Sequence, residues 1–201
     1  MRKLWLVICL AFIFSSQSRT PSIATDGGGD VEFVDPQNAL VEDGSFAEAN
    51  CPEGCAGAGA VINFTIDAGT FSLPPTATMT GLEMSLKHKT DIATASPWQR
   101  AGGSLNLGAL TASKAWDQNL TTTLTWETFG GSSDMWGMAG VPTPAEINSG
   151  NSGTVQYGGG NDVGSVFVDA VFIIIYYTDS ATGKSHKVIG YGRGIAREKV
   201  Q

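Results

Sequence analysis

Residues from which catalytic and metal sites are built are scarce in this sequence. It contains two histidines and three cysteines among 201 residues, and no serine lies in a nucleophile elbow. A serine or cysteine nucleophile needs a neighbouring base, and a structural zinc ion needs about four Cys or His ligands. Two carboxylates on one surface would be enough for a glycosidase, so that class stays open as an alternative. The composition favours a protein that is not an enzyme and that holds no metal.

Positive charge is scarce in the body of the chain. Residues 26–183 contain four Lys and Arg against eighteen Asp and Glu, whereas residues 184–201 contain five against one. The balance is therefore −14 in the first segment and +4 in the second. An acidic surface repels phosphates, which argues against nucleic acid as a partner of the main domain. The basic end predicts self-association, in which it docks on the acidic body of a neighbouring subunit; docking within one chain is the alternative.

The N-terminal segment has the order of a secretory signal peptide. Met1–Lys3 are followed by the apolar run Leu4–Phe14 and then by polar residues, and so short a run cannot span a bilayer as a helix. Cleavage after Ser18 or after Ala24 would have small residues at the required positions. We take residues 1–24 as the signal peptide and predict a secreted protein, extracellular or on a virion surface, with no membrane span after its removal. A buried hydrophobic N-terminus is the alternative.

Export changes the interpretation of Cys51 and Cys55. The Pro-Glu-Gly spacer between them can turn the chain, and thiols oxidise outside the cell, which together predict a disulfide between these two residues. A loop this short gains little chain entropy, so the bond would fix a local turn. Two free thiols and half of a zinc site are the alternatives.

The segment Val166–Tyr177 predicts the central strand of the fold. Its sequence, VFVDAVFIIIYY, is rich in β-branched and aromatic residues, and with a period of two both faces are apolar. One face would contain Val168 and Phe172, and the other Val171 and Ile173. This pattern predicts a strand that is buried on both sides. A helix is the alternative, but the run has no polar face.

Short strands separated by turns follow one another over residues 25–183. Their spacing of about ten to twenty residues predicts an all-β fold, an antiparallel β-sandwich, with jelly-roll connections as one arrangement. In Gly81–Lys89 apolar and polar residues alternate, which predicts a half-buried strand with His88 at the edge of the core. Residues 184–201 are predicted to add a last strand and a basic tail.

One short helical turn interrupts the strands. Thr143 is a good N-cap, Pro144 suits the first helical position, and Glu146 stands where a capping box needs it. The apolar pattern ends soon afterwards, at Ser149 and Gly150, so the helix is expected to serve as a connection.

Tryptophans are the candidates for ligand binding. Trp98 and Trp116 are flanked by polar residues and are predicted on the surface, where an indole can stack on a sugar ring. Trp126 alternates with core positions, which predicts burial. Trp136, near Asp134, is ambiguous between core and surface. The candidate ligand-binding residues are Trp98, Trp116, Trp136 and Asp134.

Calcium is the one cofactor that the acidic loops would suit, because it binds oxygen ligands. The aspartates concerned do not have the spacing of an EF-hand loop, so solvated acidic turns are the preferred interpretation. They are Asp26, Asp30, Asp35 and Asp43.

An ordered set of short segments resembles a family of poorly characterised β-sandwich domains. These domains occur in phage and prophage structural proteins and in exported bacterial proteins. The resemblance implies an extracellular or virion-surface module for assembly or attachment, with no known catalytic set, and it implies that Asp134, Trp136 and Asp169 belong to the framework. The segments are 38–40, 42–47, 80–83, 129–137, 144–148, 168–171 and 176–177.

The sequence therefore predicts a secreted, non-enzymatic structural or attachment module. A carbohydrate-binding, lectin-like β-sandwich is the alternative, in which case exposed tryptophans should contact glycans. The partner would be a cell surface, a glycan or a second copy of the chain.

Overall fold

The computed structural model describes residues 21–51, 59–91, 99–158, 164–181 and 184–190; at residues 21–22, 99–101, 116–118 and 184–190 it describes the backbone alone. Four predictions fall outside these ranges wholly or in part. They concern most of the signal peptide, Cys55, Trp98, and the tail beyond residue 190.

Strands in two antiparallel sheets make up most of the described chain, which confirms the predicted all-β sandwich. The strands are β1 (Pro21–Gly29), β2 (Phe33–Val34), β3 (Ala47–Cys51), β4 (Gly59–Ile66), β5 (Ala77–Thr90), β6 (Gln99–Leu107), β7 (Leu110–Asn119), β8 (Thr125–Gly131), β9 (Asn151–Gly158), β10 (Gly164–Asp179) and β11 (Lys184–Gly190). One sheet has the order β1-β4-β9-β6-β7; the other, six-stranded, has the order β2-β3-β10-β5-β8, with β11 also paired to β10. Successive strands cross repeatedly between the sheets, as in a jelly roll.

A β-bulge at Asp169 interrupts the central strand β10. The register with β5 shifts between Val168 and Ala170, and a shift of one residue sends the following side chains to the opposite face. Val168 and Val171 therefore both lie in the core, although a period of two places them on opposite faces. The prediction of a strand buried on both sides is confirmed for most of β10: on the outer face Ile174 is 5% exposed, while Phe172 is half-buried.

The alternation predicted in β5 is confirmed. Leu82, Met84 and Leu86 have no exposed surface, while Lys87 on the opposite face is partly exposed. His88 is 1% exposed, and its Nδ1 lies 3.0 Å from the hydroxyl oxygen of Tyr157. It is the core-edge histidine that the sequence predicts, with Nδ1 hydrogen-bonded and Nε2 3.7 Å from Glu127 Oε2.

Large apolar side chains from both sheets fill the space between them. Each such side chain contributes about 1.5–3 kcal/mol when it leaves water. The largest fully buried members include Ile62, Phe64, Phe71, Leu82, Met84, Leu86, Leu105, Leu107, Ile147 and Tyr157.

The predicted helical turn is present as α1 (Pro144–Asn148), and its capping box is complete. The Glu146 amide donates to Thr143 Oγ1 at 3.2 Å, and the Thr143 amide donates to Glu146 Oε2 at 2.7 Å. The helix places Ile147 in the core. A 3-10 helix spans Pro36–Ala39.

Two further segments complete the strand boundaries. The glycine-rich segment Pro21–Gly29 forms β1, which pairs with β4 and buries Ala24 completely. β8 starts only at Thr125, and the Thr121 hydroxyl donates to the carbonyl of Thr123, which stabilises a bend ahead of the strand. Neither glycine-rich β1 nor the threonine-rich bend carries a clear apolar pattern.

The predicted last strand is confirmed as β11. It pairs antiparallel with the end of β10, from Ile173 to Asp179. β11 therefore pairs with a strand of its own chain. For this segment the structure supports docking within one chain, which was the alternative to docking on a neighbouring subunit. Self-association and the domain boundary at residue 24 stay predictions.

Candidate functional site: a groove and an aromatic face

A groove runs over β6, β7 and β9 on the five-stranded sheet. Its volume is about 230 Å³, and its lining is made of small and polar residues. Gly102 is required there because a Cβ at this position would lie 2.9 Å from the backbone oxygen of Lys114. The lining residues are Gly102, Gly103, Ser104, Ser113, Lys114, Ala115, Thr154 and Gln156.

Neutral hydrogen-bonding groups continue from the groove along the sheet. Ser104 Oγ lies 2.9 Å from Thr154 Oγ1, and the Asn106 amide donates to Ser152 Oγ at 3.1 Å. Thr111 Oγ1 in turn donates to Asn106 Oδ1 at 2.8 Å. These bonds fix the side chains, while each hydroxyl keeps further lone pairs for a ligand.

Among the lining residues whose side chains the structure describes, Lys114 is the only charged one, and its charge is balanced. Its Nζ forms an ion pair with Asp134 Oδ2, and Asp134 Oδ1 accepts the amide of Trp136 at 2.9 Å. The bond to Lys114, followed by the amide of Trp136, lowers the pKa of Asp134 below its usual value. The described part of the groove lining therefore contributes no unbalanced charge around pH 7.

Trp136 and Asp134 build a corner of the fold. Trp136 is 2% exposed and has a φ of 50°, and its indole lies so close to Gly130 that no side chain fits at that residue. The Asp134 carbonyl accepts the amide of Leu82 at 2.8 Å. The ambiguity over Trp136 is resolved in favour of the core, so we do not expect this residue to contact a ligand.

Trp116 lies in β7 directly after Ala115, which lines the groove. Only its backbone is described, so its contact with a ligand stays a prediction. Trp98 lies outside the described residues, immediately before β6. The register pairs Gln99 with Asn119, so Trp116 lies near the end of the β6–β7 pair at which β6 begins.

Trp126 is exposed, and the prediction that it is buried is wrong. It retains 39% exposure on the outer face of β8, where its ring stacks on Phe172 with 4.6 Å between centroids and 20° between planes. The alternation of apolar residues that predicted burial runs through Leu120 and Leu124, which precede the strand. Within β8 the buried residue is Phe129.

An ion-pair network adjoins this stacked pair. Lys87 Nζ lies 6.0 Å from the Trp126 ring centroid, 2.8 Å from Asp169 Oδ2 and 2.9 Å from Glu42 Oε1. Hydrogen bonds, first to Asp169 and then to Glu42, raise the pKa of Lys87 above its usual value. Asp169 Oδ1 also accepts the amide of Gly44 at 3.0 Å. Asp169 thereby holds both Lys87 and the loop that carries Glu42.

The acidic loops do not gather into a cation site in the described part of the chain. There, no group of three or more Asp, Glu, His or Cys residues could hold a metal ion. Instead, Asp26 accepts the amides of Gly28 and Phe33, and Asp43 accepts the amide of Ser45. Asp26 and Asp43 thus accept hydrogen bonds from backbone amides of nearby residues.

Cys51 is disulfide-bonded and closes β3 at a buried position. Cys55 lies outside the described residues, so the pairing of these two cysteines stays a prediction. No described helix is long and apolar enough to cross a membrane.

Comparison with known proteins gives structural likenesses only. No family model and no curated protein matches the chain. Three solved structures are similar to it. TmCBM61 in complex with β-1,4-galactotriose has 11% sequence identity and a TM-score of 0.42, and the match covers 76% of this chain and 88% of that one. A CBM4 structure has 16% identity and a TM-score of 0.37, with 75% of this chain and 92% of that one covered; the mannan-recognising carbohydrate-binding module TmCBM27 has 15% identity and a TM-score of 0.36, with 74% and 85% covered in the same order. All three TM-scores are below 0.5, and the function proposed for this chain rests on its own geometry.

Proposed function

We propose that this chain is a non-catalytic carbohydrate-binding domain that takes a neutral glycan in the groove over β6, β7 and β9. The observation that carries the proposal is the described lining of the groove: the hydroxyls of Ser104 and Thr154, held by a mutual hydrogen bond, the exposed amide of Gln156, and a single cation that is already paired. Neutral sugars present hydroxyl groups that need both donors and acceptors, and Ser104, Thr154 and Gln156 supply both.

Charge and shape favour a neutral polymer over other ligands. A glycan that carries carboxylates or sulfates would need cations, and Lys114 is engaged with Asp134. Nucleic acid would also need several free cations, because its phosphates are negatively charged. The groove is open and runs along the surface of the sheet. This shape suits a chain of sugar rings better than a small molecule that needs to be enclosed.

A role as a secreted attachment protein is consistent with the proposed binding of a glycan. A glycan-binding sandwich exported by the predicted signal peptide would meet its ligand at a cell surface or in an extracellular matrix. The resemblance to phage and exported bacterial domains suggests the same surroundings. We therefore propose an attachment module whose partner is a glycan.

Affinity gel electrophoresis tests this function. The protein is run in native gels that contain soluble galactomannan, xyloglucan or mixed-linkage β-glucan, with pectin and heparin as anionic comparisons. We expect retardation in at least one neutral gel, and a loss of about tenfold in affinity for Gln156→Ala, since one or two hydrogen bonds are lost. The matched control is Gln37→Ala, because Gln37 is also exposed but lies in the 3-10 helix. Mobility that is unchanged in every neutral gel would reject the proposal.

A further inference from the structure

We propose a second carbohydrate-binding site, centred on Trp126 on the outer face of the six-stranded sheet, which takes a neutral sugar ring independently of the groove. This inference rests on the proposed function, because both sites would take the same class of ligand. It concerns different residues on the opposite side of the sandwich.

The aromatic platform is exposed and already oriented. Trp126 is 39% exposed, and Phe172 stacks against one side of its indole. Phe172 projects from the central strand β10, so the indole is held from below by a half-buried ring. An aromatic side chain that is fixed before binding loses little conformational entropy when a ligand stacks on it.

Polar groups lie on the same face of the sheet as this platform. Lys87 is the direct cross-strand neighbour of Trp126, and Glu42 contacts Lys87 while remaining 46% exposed. On the same face, Ser85 and Thr128 share a hydrogen bond of 3.0 Å between their hydroxyls. Ser85 is 8% exposed, so a ring stacked on Trp126 would find the Glu42 carboxylate and the hydroxyl of exposed Thr128 on this face.

The charges of the site select the class of sugar. One ammonium, that of Lys87, faces two carboxylates, Asp169 and Glu42, which leaves a net charge of about −1. A sugar bearing a carboxylate or a sulfate would be repelled there, whereas the hydroxyls of a neutral sugar can donate to Glu42.

The two sites cannot serve one stretch of glycan at the same time. They lie on the outer faces of two sheets that pack at a distance of roughly 10 Å, with the core between them. Each protein molecule would therefore bind two glycan chains and link them.

The test starts from a variant whose groove is blocked by Ala115→Leu and Gln156→Ala, both at partly or fully exposed lining positions. In gels containing the three neutral polysaccharides, this variant should still be retarded. Adding Trp126→Ala should abolish the retardation, and adding Trp126→Phe should preserve part of it. Adding Glu42→Ala should weaken binding about fivefold, whereas Glu32→Ala, the removal of an exposed acid elsewhere, should have no effect.

Each outcome separates the two proposals. The second site is rejected, and binding in the groove is supported, if the wild type is retarded but the blocked variant is not. The second site is also rejected if Trp126→Ala does not change the retardation of the blocked variant. If Trp126→Ala in the wild-type background abolishes binding, the second site is supported and binding in the groove is rejected. If the wild type binds none of the three polysaccharides, both are rejected. Thermal unfolding checks that Trp126→Ala folds; should it not fold, the comparison of Glu42→Ala with Glu32→Ala decides.

Discussion

Lys87 Nζ lies 2.8 Å from Oδ2 of Asp169, a carboxylate whose side chain has no exposed surface. The opposite oxygen of Asp169 accepts the amide of Gly44 at 3.0 Å. One residue in the bulge of β10 therefore fixes a lysine of β5 and the loop that carries Glu42. The bulge that breaks the alternation of the central strand is also what supplies the Trp126 site with its charged groups.

Removal of this anchor should destabilise the domain. We expect Asp169→Ala to lower the free energy of unfolding by about 2–3 kcal/mol, because a hydrogen bond from the Gly44 amide and a buried ion pair with Lys87 are lost. Glu42→Ala should cost less than about 1 kcal/mol, since Glu42 is half-exposed and solvent can replace it. Urea denaturation of both variants measures the difference. Equal losses would show that Asp169 is not the anchor.

A comparison of neighbouring glycines tests the corner at Trp136. Gly130 has a φ of 96°, and a Cβ there would collide with the indole of Trp136 and with the backbone. We expect Gly130→Ala to cost at least about 2 kcal/mol in unfolding free energy. Gly131 is the control, because a Cβ at that residue meets nothing within 4 Å, so Gly131→Ala should stay within about 0.5 kcal/mol of the wild type. Similar stabilities for the two variants would contradict this placement of Trp136.

The hydroxyl of Tyr176 predicts a loss of stability in alkaline solution. It donates to Glu83 Oε2 at 2.7 Å, and partial burial, together with this bond, raises the pKa of Tyr176 well above its usual value of 10. A group whose pKa is raised on folding contributes stability that is complete below the unfolded pKa and is lost as the pH rises beyond it.

The free energy of unfolding should therefore fall more steeply between about pH 10 and pH 12 in the wild type than in Tyr176→Phe. Lys87, whose pKa is also raised, acts in the same direction but is present in both proteins. Denaturation curves at several pH values provide the comparison. Parallel pH dependences would mean that the hydroxyl of Tyr176 is not held by Glu83.

A disulfide between Cys51 and Cys55 is expected in the exported protein. Mass spectrometry of the unreduced protein should show two hydrogens fewer than after reduction, with both cysteines in one cross-linked peptide. Reduction should cost little stability, because the closed loop is short. A different partner for Cys51, or two alkylatable thiols, would refute the pairing.

Much of the fold could be predicted because its signals are local. The alternation in β5 and the Thr143 capping box each depend on a few adjacent residues. The bulge at Asp169 could not be predicted, because it is decided by distant partners, Lys87 and Gly44. β1 escaped prediction for a similar reason, since its glycine-rich segment is ordered by pairing with β4.

The tryptophans show most clearly what could not be predicted from the sequence. The period of two that placed Trp126 in the core ran across a bend at residues 121–124, and a single-residue offset is enough to exchange inside and outside. Trp136 is buried by a corner whose positive φ values, at Trp136 itself and at Gly130, leave little trace in an apolar pattern. The groove depends on glycines that a composition count cannot place.

Chemical-shift mapping tests the central claim most directly. Amide resonances of the labelled protein are followed while the neutral polysaccharide that gives the strongest retardation, trimmed to a soluble oligosaccharide, is added. The account predicts saturable shifts at Gly102, Gly103, Ser113 and Gln156, with a second set around Trp126. Shifts at neither place, or shifts confined to another surface of the domain, would contradict it.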